Sequence, residues 1–119
     1  MLNIEPRFAS YPTDTQVKIN DEIILECKAL DEGSLMSQNY TYKWLKNGGK
    51  INFGMHHRIE LVQGNSLRIE SVETEDSGTY TCRICSIMDE RELECDERSG
   101  LLQVLGTFTL SLLSTIKFQ

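Results

Sequence analysis

Four cysteines are the side chains of this sequence with the widest chemical repertoire, and they stand at Cys27, Cys82, Cys85 and Cys95. An even number of cysteines fits disulfides in an oxidising compartment, although thiolates also bind zinc and exchange electrons. Cys82 and Cys85 have the C-x-x-C spacing of redox proteins. A zinc site needs a full set of converging ligands, and neither His56 nor His57 lies near a cysteine in the sequence. Spacing alone therefore argues against zinc and leaves disulfides and redox chemistry open.

No catalytic set can be assembled from the remaining polar residues. His56 and His57 are adjacent, and adjacent residues of a strand point to opposite faces, so the pair does not chelate one ion easily. No Ser/His/Asp or Cys/His combination respects the expected facing of the strands, and the chain contains no glycine-rich phosphate loop. The sequence therefore predicts a protein that binds rather than catalyses, without a cofactor or a metal.

Length and composition limit the class of protein further. The chain has 119 residues, of which 39% are hydrophobic, and this is room for one domain with a sizeable core. Its net charge of −6 argues against nucleic acid and anionic membrane surfaces as partners. No stretch reaches the ~20 apolar residues of a membrane helix, and no signal-peptide pattern opens the chain. We expect residues 1–119 to form one soluble domain, with its core between about 14 and 106.

Apolar residues recur at every second position in short runs separated by turn residues, which is the pattern of an all-β fold. Asn47-Gly48 is the strongest signal for a tight type I′ turn, and Gly64-Asn65 marks a second turn. The predicted strands cover residues 16–19, 22–30, 40–46, 58–62, 66–72, 78–85 and 101–105. The polar stretch 31–39 is predicted to be a loop.

Three independent features narrow the choice among all-β folds. Cys27 and Cys82 both fall on inward-facing positions of predicted strands, and Trp44 lies on a third strand between them. The run from position 76 reads Asp-Ser-Gly-Thr-Tyr-Thr-Cys, which puts Tyr80 two residues before Cys82. This pattern resembles the immunoglobulin superfamily over residues 14–106. The resemblance implies a two-sheet Greek-key sandwich.

The resemblance also assigns structural roles to individual residues. It implies a disulfide between Cys27 and Cys82, on which Trp44 packs, and a tyrosine corner at Tyr80. Arg58 is similar to the arginine that pairs with the corner aspartate of the family, here Asp76. We expect these residues to build the core of the domain rather than a binding site.

The connection between Trp44 and Arg58 is too short for two additional strands, which favours the intermediate (I-set) type over the antibody variable type. In this stretch the chain is similar to domains of growth-factor receptor kinases and neural adhesion proteins, and more weakly to those of fibroblast growth factor receptors. The resemblance thus implies an extracellular module of a cell-surface receptor or adhesion protein that recognises a protein partner. The alternative is an intracellular structural spacer of a muscle-type giant protein.

The second pair of cysteines is an addition to the family pattern. Once Cys82 is assigned to Cys27, redox chemistry of the C-x-x-C run is disfavoured. Strand alternation points Cys85 away from Cys82 and towards solvent. A disulfide from Cys85 to Cys95 would pin the long loop between the last two strands, and an intermolecular disulfide is the alternative. Between these cysteines and just beyond, the chain carries six acidic residues: Asp89, Glu90, Glu92, Glu94, Asp96 and Glu97.

Two interpretations of this acidic stretch stay open. It is either an ordinary solvated loop or a constrained tip that binds a basic patch on a partner. Asn39 begins an N-glycosylation sequon with Thr41, in what is predicted to be an exposed loop. Residues 107–119 alternate like a strand and are predicted to continue the last strand or to form a linker. A homodimer through an edge strand or through this tail is a further expectation.

Overall fold

The structure is a computed structural model that describes residues 7–31, 39–53 and 57–106. The expectations for His56 and for the tail 107–119 lie outside these residues. Across the described residues the chain is built from β-strands and a short 3-10 helix, Thr74–Asp76, and no helix is long and apolar enough to cross a membrane. The strands are β1 (Phe8–Ser10), β2 (Thr15–Lys18), β3 (Ile23–Leu25), β4 (Lys28–Ala29), β5 (Asn39–Lys46), β6 (Gly49–Lys50), β7 (Ile59–Val62), β8 (Ser66–Ile69), β9 (Gly78–Met88) and β10 (Arg91–Leu105).

Two sheets pack face to face, as the resemblance predicts. The larger is five-stranded in the order β2-β10-β9-β5-β6, and the smaller is three-stranded in the order β3-β8-β7. Strand β2 runs parallel to β10, whereas β9 is antiparallel to both of its neighbours. Strands β1 and β4 form a separate two-stranded ladder. The sandwich is therefore confirmed, and β9 is its most extensively paired strand.

The core lies between the sheets and is centred on the predicted cysteine pair. Cys27 and Cys82 form a disulfide with a Cα–Cα distance of 6.4 Å, and both residues are fully buried. In a simple loop-entropy model such a bridge contributes about 4 kcal/mol. Trp44 is 3% exposed, and its indole Nε1 donates to the carbonyl of Asn65 at 2.8 Å. The side-chain amide of Asn65 in turn donates to the carbonyl of Cys27 at 2.7 Å, so polar atoms beside the bridge are satisfied.

The predicted strand 22–30 is wrong in its continuity, because the structure divides it into β3 and β4. Strand β3 pairs with β8, whereas β4 pairs with β1. Beyond the end of β3, the backbone N–H of Ala29 donates to the hydroxyl of Tyr42 at 2.9 Å, and that of Leu30 donates to the carbonyl of Arg7. These groups find partners outside the three-stranded sheet, which a period-2 pattern does not reveal.

The predicted turns are mostly confirmed. Asn47 and Gly48 join β5 to β6 with φ values of 51° and 81°, which are the positive values that a type I′ turn requires. The turn between β7 and β8 lies one residue earlier than predicted, since the positive φ values fall on Gln63 and Gly64. The residue types that favour tight turns therefore predicted both connections to within one residue.

Gly100 provides a test of how tightly the large sheet is packed. A Cβ added there would lie 2.6 Å from the carbonyl carbon of Thr13, which is backbone that cannot swing aside. We expect Gly100→Ala to lower the free energy of unfolding by about 1–3 kcal/mol, because overpacking must shift the backbone. Gly49→Ala is the matched control, since its Cβ would make only a 3.7 Å contact with Lys46. Urea unfolding of both variants measures the effect, and equal losses would contradict the close approach.

Candidate functional site

The last two strands form a long hairpin that reaches the acidic stretch. The ladder between β9 and β10 runs from Gly78 and Leu102 out to Met88 and Arg91. Between Met88 and Arg91 stand Asp89 and Glu90, with φ values of 52° and 64°. The prediction of a long loop here is therefore wrong, because backbone pairing continues to a two-residue turn. We call residues 87–94 the hairpin tip.

A β-bulge in β10 determines which side chains share a face near the tip. The register shifts between Glu92 and Cys95, so that one extra residue of β10 lies opposite Ser86. Ser86 is fully buried, and its hydroxyl lies 3.3 Å from the backbone nitrogen and 3.4 Å from the carbonyl oxygen of Glu94. Because of the extra residue, Glu92 and Cys95 point to the same face although they are three positions apart. We call this the outer face, since it lies opposite to the core-facing side of β9.

Cys85 and Cys95 form the second disulfide and are directly opposite each other in the ladder, with a Cα–Cα distance of 4.0 Å. The predicted pairing is confirmed, but the bridge joins two paired strands rather than the ends of a loop. Cys85 is on the outer face as predicted, yet it is only 2% exposed. It is flanked by Thr41 of β5 on one side and by Cys95 on the other, and central strands are covered by their neighbours.

The six acidic residues of the hairpin fall into two groups. Nearer the body of the sheet, Arg83 pairs with Glu97 at 3.1 Å and Arg98 pairs with Asp96 at 2.9 Å. No ion pair reaches the other acidic side chains within the described part of the chain. This second group lies at the tip and consists of Asp89, Glu90, Glu92 and Glu94. The tip also contains Arg91, so that its formal charge is four negative charges against one positive, and no ion pair is formed by its carboxylates within the described residues.

Apolar side chains accompany this charge. Met88 and Leu93 are 58% and 43% exposed, on either side of the turn. The two tip strands thus present large apolar side chains and carboxylates side by side. Sequence reasoning found the carboxylates but overlooked this apolar pair, because it treats residues 86–94 as part of a charged loop and assigns no role to the apolar residues there.

The glycosylation sequon lies next to the outer disulfide. Asn39 is the first residue of β5 rather than the end of a loop, and it is exposed opposite Ile87. Two residues further on, the Thr41 hydroxyl donates to the Glu92 carboxylate at 3.1 Å. The structure therefore brings the sequon, the bridge and one acidic residue together on one face, an arrangement that the sequence did not predict.

Comparison with known proteins establishes the family. A family model described as the immunoglobulin domain matches residues 5–84, which is more than half of the chain. The chain belongs to the immunoglobulin domain family. The matched residues end just before Cys85, so the outer disulfide and the hairpin tip of this immunoglobulin domain lie beyond them.

Curated relatives of the immunoglobulin domain include very different proteins. It is 33% identical to titin of Drosophila melanogaster over 106 residues, which is 84% of this chain and 1% of titin. It is also 33% identical to contactin-5 of Gallus gallus over 78 residues, which is 66% of this chain and 7% of that protein. The domain thus spans only a few per cent of the length of these relatives, and they do not define a function for it.

The solved structures agree on the fold. The extracellular domains 3–5 of Drosophila OTK superpose with a TM-score of 0.66 at 20% identity, covering 84% of this chain and 31% of that one. At this identity the likeness shows the fold alone. The I-set type that the sequence predicts is compatible with these comparisons.

The predicted signature residues meet at a corner between the sheets. The Arg58 guanidinium binds both carboxylate oxygens of Asp76, at 2.9 and 3.3 Å, and contacts Glu73 at 3.2 Å. The Tyr80 hydroxyl donates to the backbone carbonyl of Asp76 at 2.6 Å, which is the contact of a tyrosine corner. All of these groups hold backbone segments together, and none of them lies in the hairpin tip.

Burial and charge act in opposite directions on Asp76. Burial is the largest influence and raises its pKa, but hydrogen bonds from Arg58 and from the Glu73 backbone, with the charge of Arg58, outweigh it. The pKa of Asp76 is consequently held below the usual aspartate value of 3.8. Burial also raises the pKa of the Tyr80 hydroxyl, which therefore stays protonated as a donor.

The lowered pKa of Asp76 makes the corner sensitive to acid. The unfolded chain takes up the proton first, so the stabilisation is present above pH 3.8 and is lost as the pH falls through the lower folded value. Asp76→Asn lacks this contribution at every pH, and we expect it to lose about 2 kcal/mol at neutral pH. The gap in free energy of unfolding between wild type and Asp76→Asn should therefore shrink in acid. Urea unfolding from neutral to strongly acidic pH measures it, with the exposed Asp21→Asn as control, and a constant gap would contradict the assignment.

Proposed function

We propose that this immunoglobulin domain is an extracellular protein-recognition module of a cell-surface receptor or adhesion protein, and that its hairpin tip binds a basic patch on a protein partner. The supporting observation is the combination of unpaired carboxylates and exposed apolar side chains at the tip. Charged surface is usually only solvated, but at the tip Met88 and Leu93 are exposed among the carboxylates, so that apolar and charged groups could contact one partner. The domain is proposed to act without catalysis or a cofactor.

Strand pairing and a disulfide constrain the backbone of the tip, which would favour binding. Both residues of its turn, Asp89 and Glu90, occupy the left-handed backbone region that non-glycine residues rarely adopt. Such conformations cost about 1–3 kcal/mol each and persist where the surroundings enforce them. Here the ladder and the Cys85–Cys95 disulfide enforce them. A rigid tip loses little conformational entropy when it binds, so more of the contact energy contributes to affinity.

Charge and apolar surface would play separate parts. The carboxylates of Asp89, Glu90 and Glu94 would speed encounter with a cationic surface and exclude acidic partners. Met88 and Leu93 would lose their contact with water in the complex, at roughly 25 cal/mol per Å² of apolar area buried. Binding would thus weaken with salt through the association rate, while the apolar pair would govern dissociation.

The two disulfides support an extracellular location. Disulfides persist in oxidising compartments, and this domain has one fully buried and one cross-strand disulfide. The alternative, an intracellular structural spacer, is supported by the alignment with titin over 84% of this chain. Mass spectrometry of protein taken directly from its native compartment separates the two, since the spacer would carry reduced cysteines.

The proposed binding site can be tested with matched charge variants. A panel of extracellular proteins, including a second copy of this domain to detect a homodimer, is screened first, and the hit is measured by surface plasmon resonance. We expect Asp89→Asn/Glu90→Gln/Glu94→Gln to bind at least tenfold more weakly, mainly through a slower association. The control removes three exposed charges elsewhere: Asp21→Asn/Glu26→Gln/Glu75→Gln. If both triple variants weaken binding equally, only net charge matters and the tip is not the site.

The apolar part of the tip needs a separate variant. We expect Met88→Ser to raise the dissociation rate several-fold while leaving the association rate nearly unchanged, because the side chain contributes only after contact. The exposed Leu101, on β10 far from the tip, provides the control Leu101→Ser. Normal dissociation of Met88→Ser would show that the partner does not cover the apolar pair.

The sequon makes a further expectation testable. We propose that Asn39 carries an N-linked glycan, because its side chain is exposed at the start of β5 and the sequon is complete. Secretion from eukaryotic cells should give a mass increment that an amidase for N-glycans removes. Thr41→Ala should lack the increment. A secreted wild-type protein with the mass of the bare chain would refute this proposal.

A further inference from the structure

The outer face near the tip gathers a set of ligand atoms that the partner-binding proposal does not use. The sulfur atoms of Cys85 and Cys95 and a carboxylate oxygen of Glu92 all lie within 4.8 Å of one another. The β-bulge is the cause, because it turns Glu92 to the face of the disulfide. As long as the disulfide is intact, neither sulfur is a thiolate and the set cannot coordinate an ion.

Reduction changes this chemistry. Two thiolates and a carboxylate are ligands of the kind that bind zinc, and mutual distances below 5 Å are compatible with one shared ion. We propose that reduction of the Cys85–Cys95 disulfide by a dithiol creates a site for one thiophilic divalent cation, held by both cysteine sulfurs and by the Glu92 carboxylate. The three protein ligands leave one position of a tetrahedral ion for water.

Reduction and cation binding are separate steps. A dithiol reductant delivers two electrons and two protons: the S–S bond breaks, Cys85 and Cys95 become thiols, and the reductant becomes a disulfide. The divalent cation then displaces both thiol protons to the solvent, so its apparent affinity rises with pH. In the opposite direction, two protons displace the cation, and a small-molecule disulfide then takes up two electrons and two protons from the Cys85 and Cys95 thiols, which restores the bridge.

Only the outer disulfide is suited to this reaction. Cys27 and Cys82 are fully buried in the core, so a reductant reaches them only when the domain unfolds. Cys95 is partly exposed and can be attacked in the folded state. The ladder between β9 and β10, with β5 on the other side of β9, then keeps the two sulfurs opposite each other after the bond breaks. The folded domain therefore retains its inner disulfide while the outer pair becomes available.

Neighbouring groups favour a cation at this position. The Thr41 hydroxyl donates to Glu92 and so orients the carboxylate, which is the role that outer hydrogen bonds have in metal sites. Glu90 and Glu94 add negative potential nearby and raise the local concentration of cations. This site does not depend on a protein partner. The proposal of a cation site can therefore fail without affecting the function proposed for the tip, and the reverse is also true.

The experiment uses the full 119-residue chain and Co²⁺ as a spectroscopic probe. The protein is treated with dithiothreitol, desalted without oxygen, and titrated with Co²⁺. We expect one equivalent to give thiolate-to-cobalt charge-transfer absorption and tetrahedral visible bands, both of which Zn²⁺ abolishes. The oxidised protein should give neither. Alkylation and mass spectrometry of the reduced sample should label Cys85 and Cys95 only, and labelling of all four cysteines would overturn the proposal.

Variants separate coordination from general electrostatic attraction. Glu92→Gln should bind Co²⁺ at least tenfold more weakly, and Thr41→Val about tenfold more weakly through the lost orienting hydrogen bond. Glu97→Gln removes one charge from the same hairpin, outside the hairpin tip, where Glu97 pairs with Arg83 and not with the ligands, and it should bind nearly as well as wild type. Unchanged Trp44 fluorescence verifies that each variant is folded. Equal losses in Glu92→Gln and Glu97→Gln, or a reduced wild type without charge-transfer absorption, would refute the site.

Discussion

Strand β9 is paired on both sides, and the alternation of its side chains connects the core of the domain to its outer face. Tyr80, Cys82 and Ile84 point inwards and are fully buried. Arg83 lies between Cys82 and Ile84, Cys85 follows Ile84, and both point to the outer face. Any slip of one residue in the pairing of β9 would exchange these two sets. By holding Cys82 in the core, the inner disulfide therefore also determines which residues of β9 point to the outer face.

Much of the fold follows from local residue chemistry. Cys27, Cys82 and Trp44 lie on inward positions of strands that a period of two identifies, and Asn47-Gly48 has the residues that its turn requires. The corner residues Arg58 and Asp76, by contrast, could be assigned only through family resemblance, since nothing in their spacing predicts a bidentate contact. The division of the strand at residues 26 and 27 was not predictable either, because it depends on partners distant in sequence.

The hairpin could not be predicted for two physical reasons. Its turn consists of Asp89 and Glu90, and although aspartate is common at the first position of such a turn, glutamate stands at the second, where glycine is usual, so local propensity argues against a tight turn there. The second reason is the bulge, which inserts one residue into β10 and reverses the facing of everything beyond it. Strict alternation would place Glu92 and Cys95 on opposite faces. Tertiary constraints, the ladder and the cross-strand disulfide, prevail over both local signals.

The two disulfides differ in burial and therefore in role. The inner one stabilises the fold, and the outer one lies where it can react. The inner bridge is sealed between the sheets, where it is tied to Trp44 through Asn65 and excluded from solution chemistry. The outer bridge lies on a sheet face, beside a hydroxyl, a carboxylate and unpaired negative charge. Unneutralised charge would destabilise a core, but at a hairpin tip solvent screens it, so the cost there is small. Because the fold is secured elsewhere, the tip can hold charge, exposed apolar side chains and a strained turn.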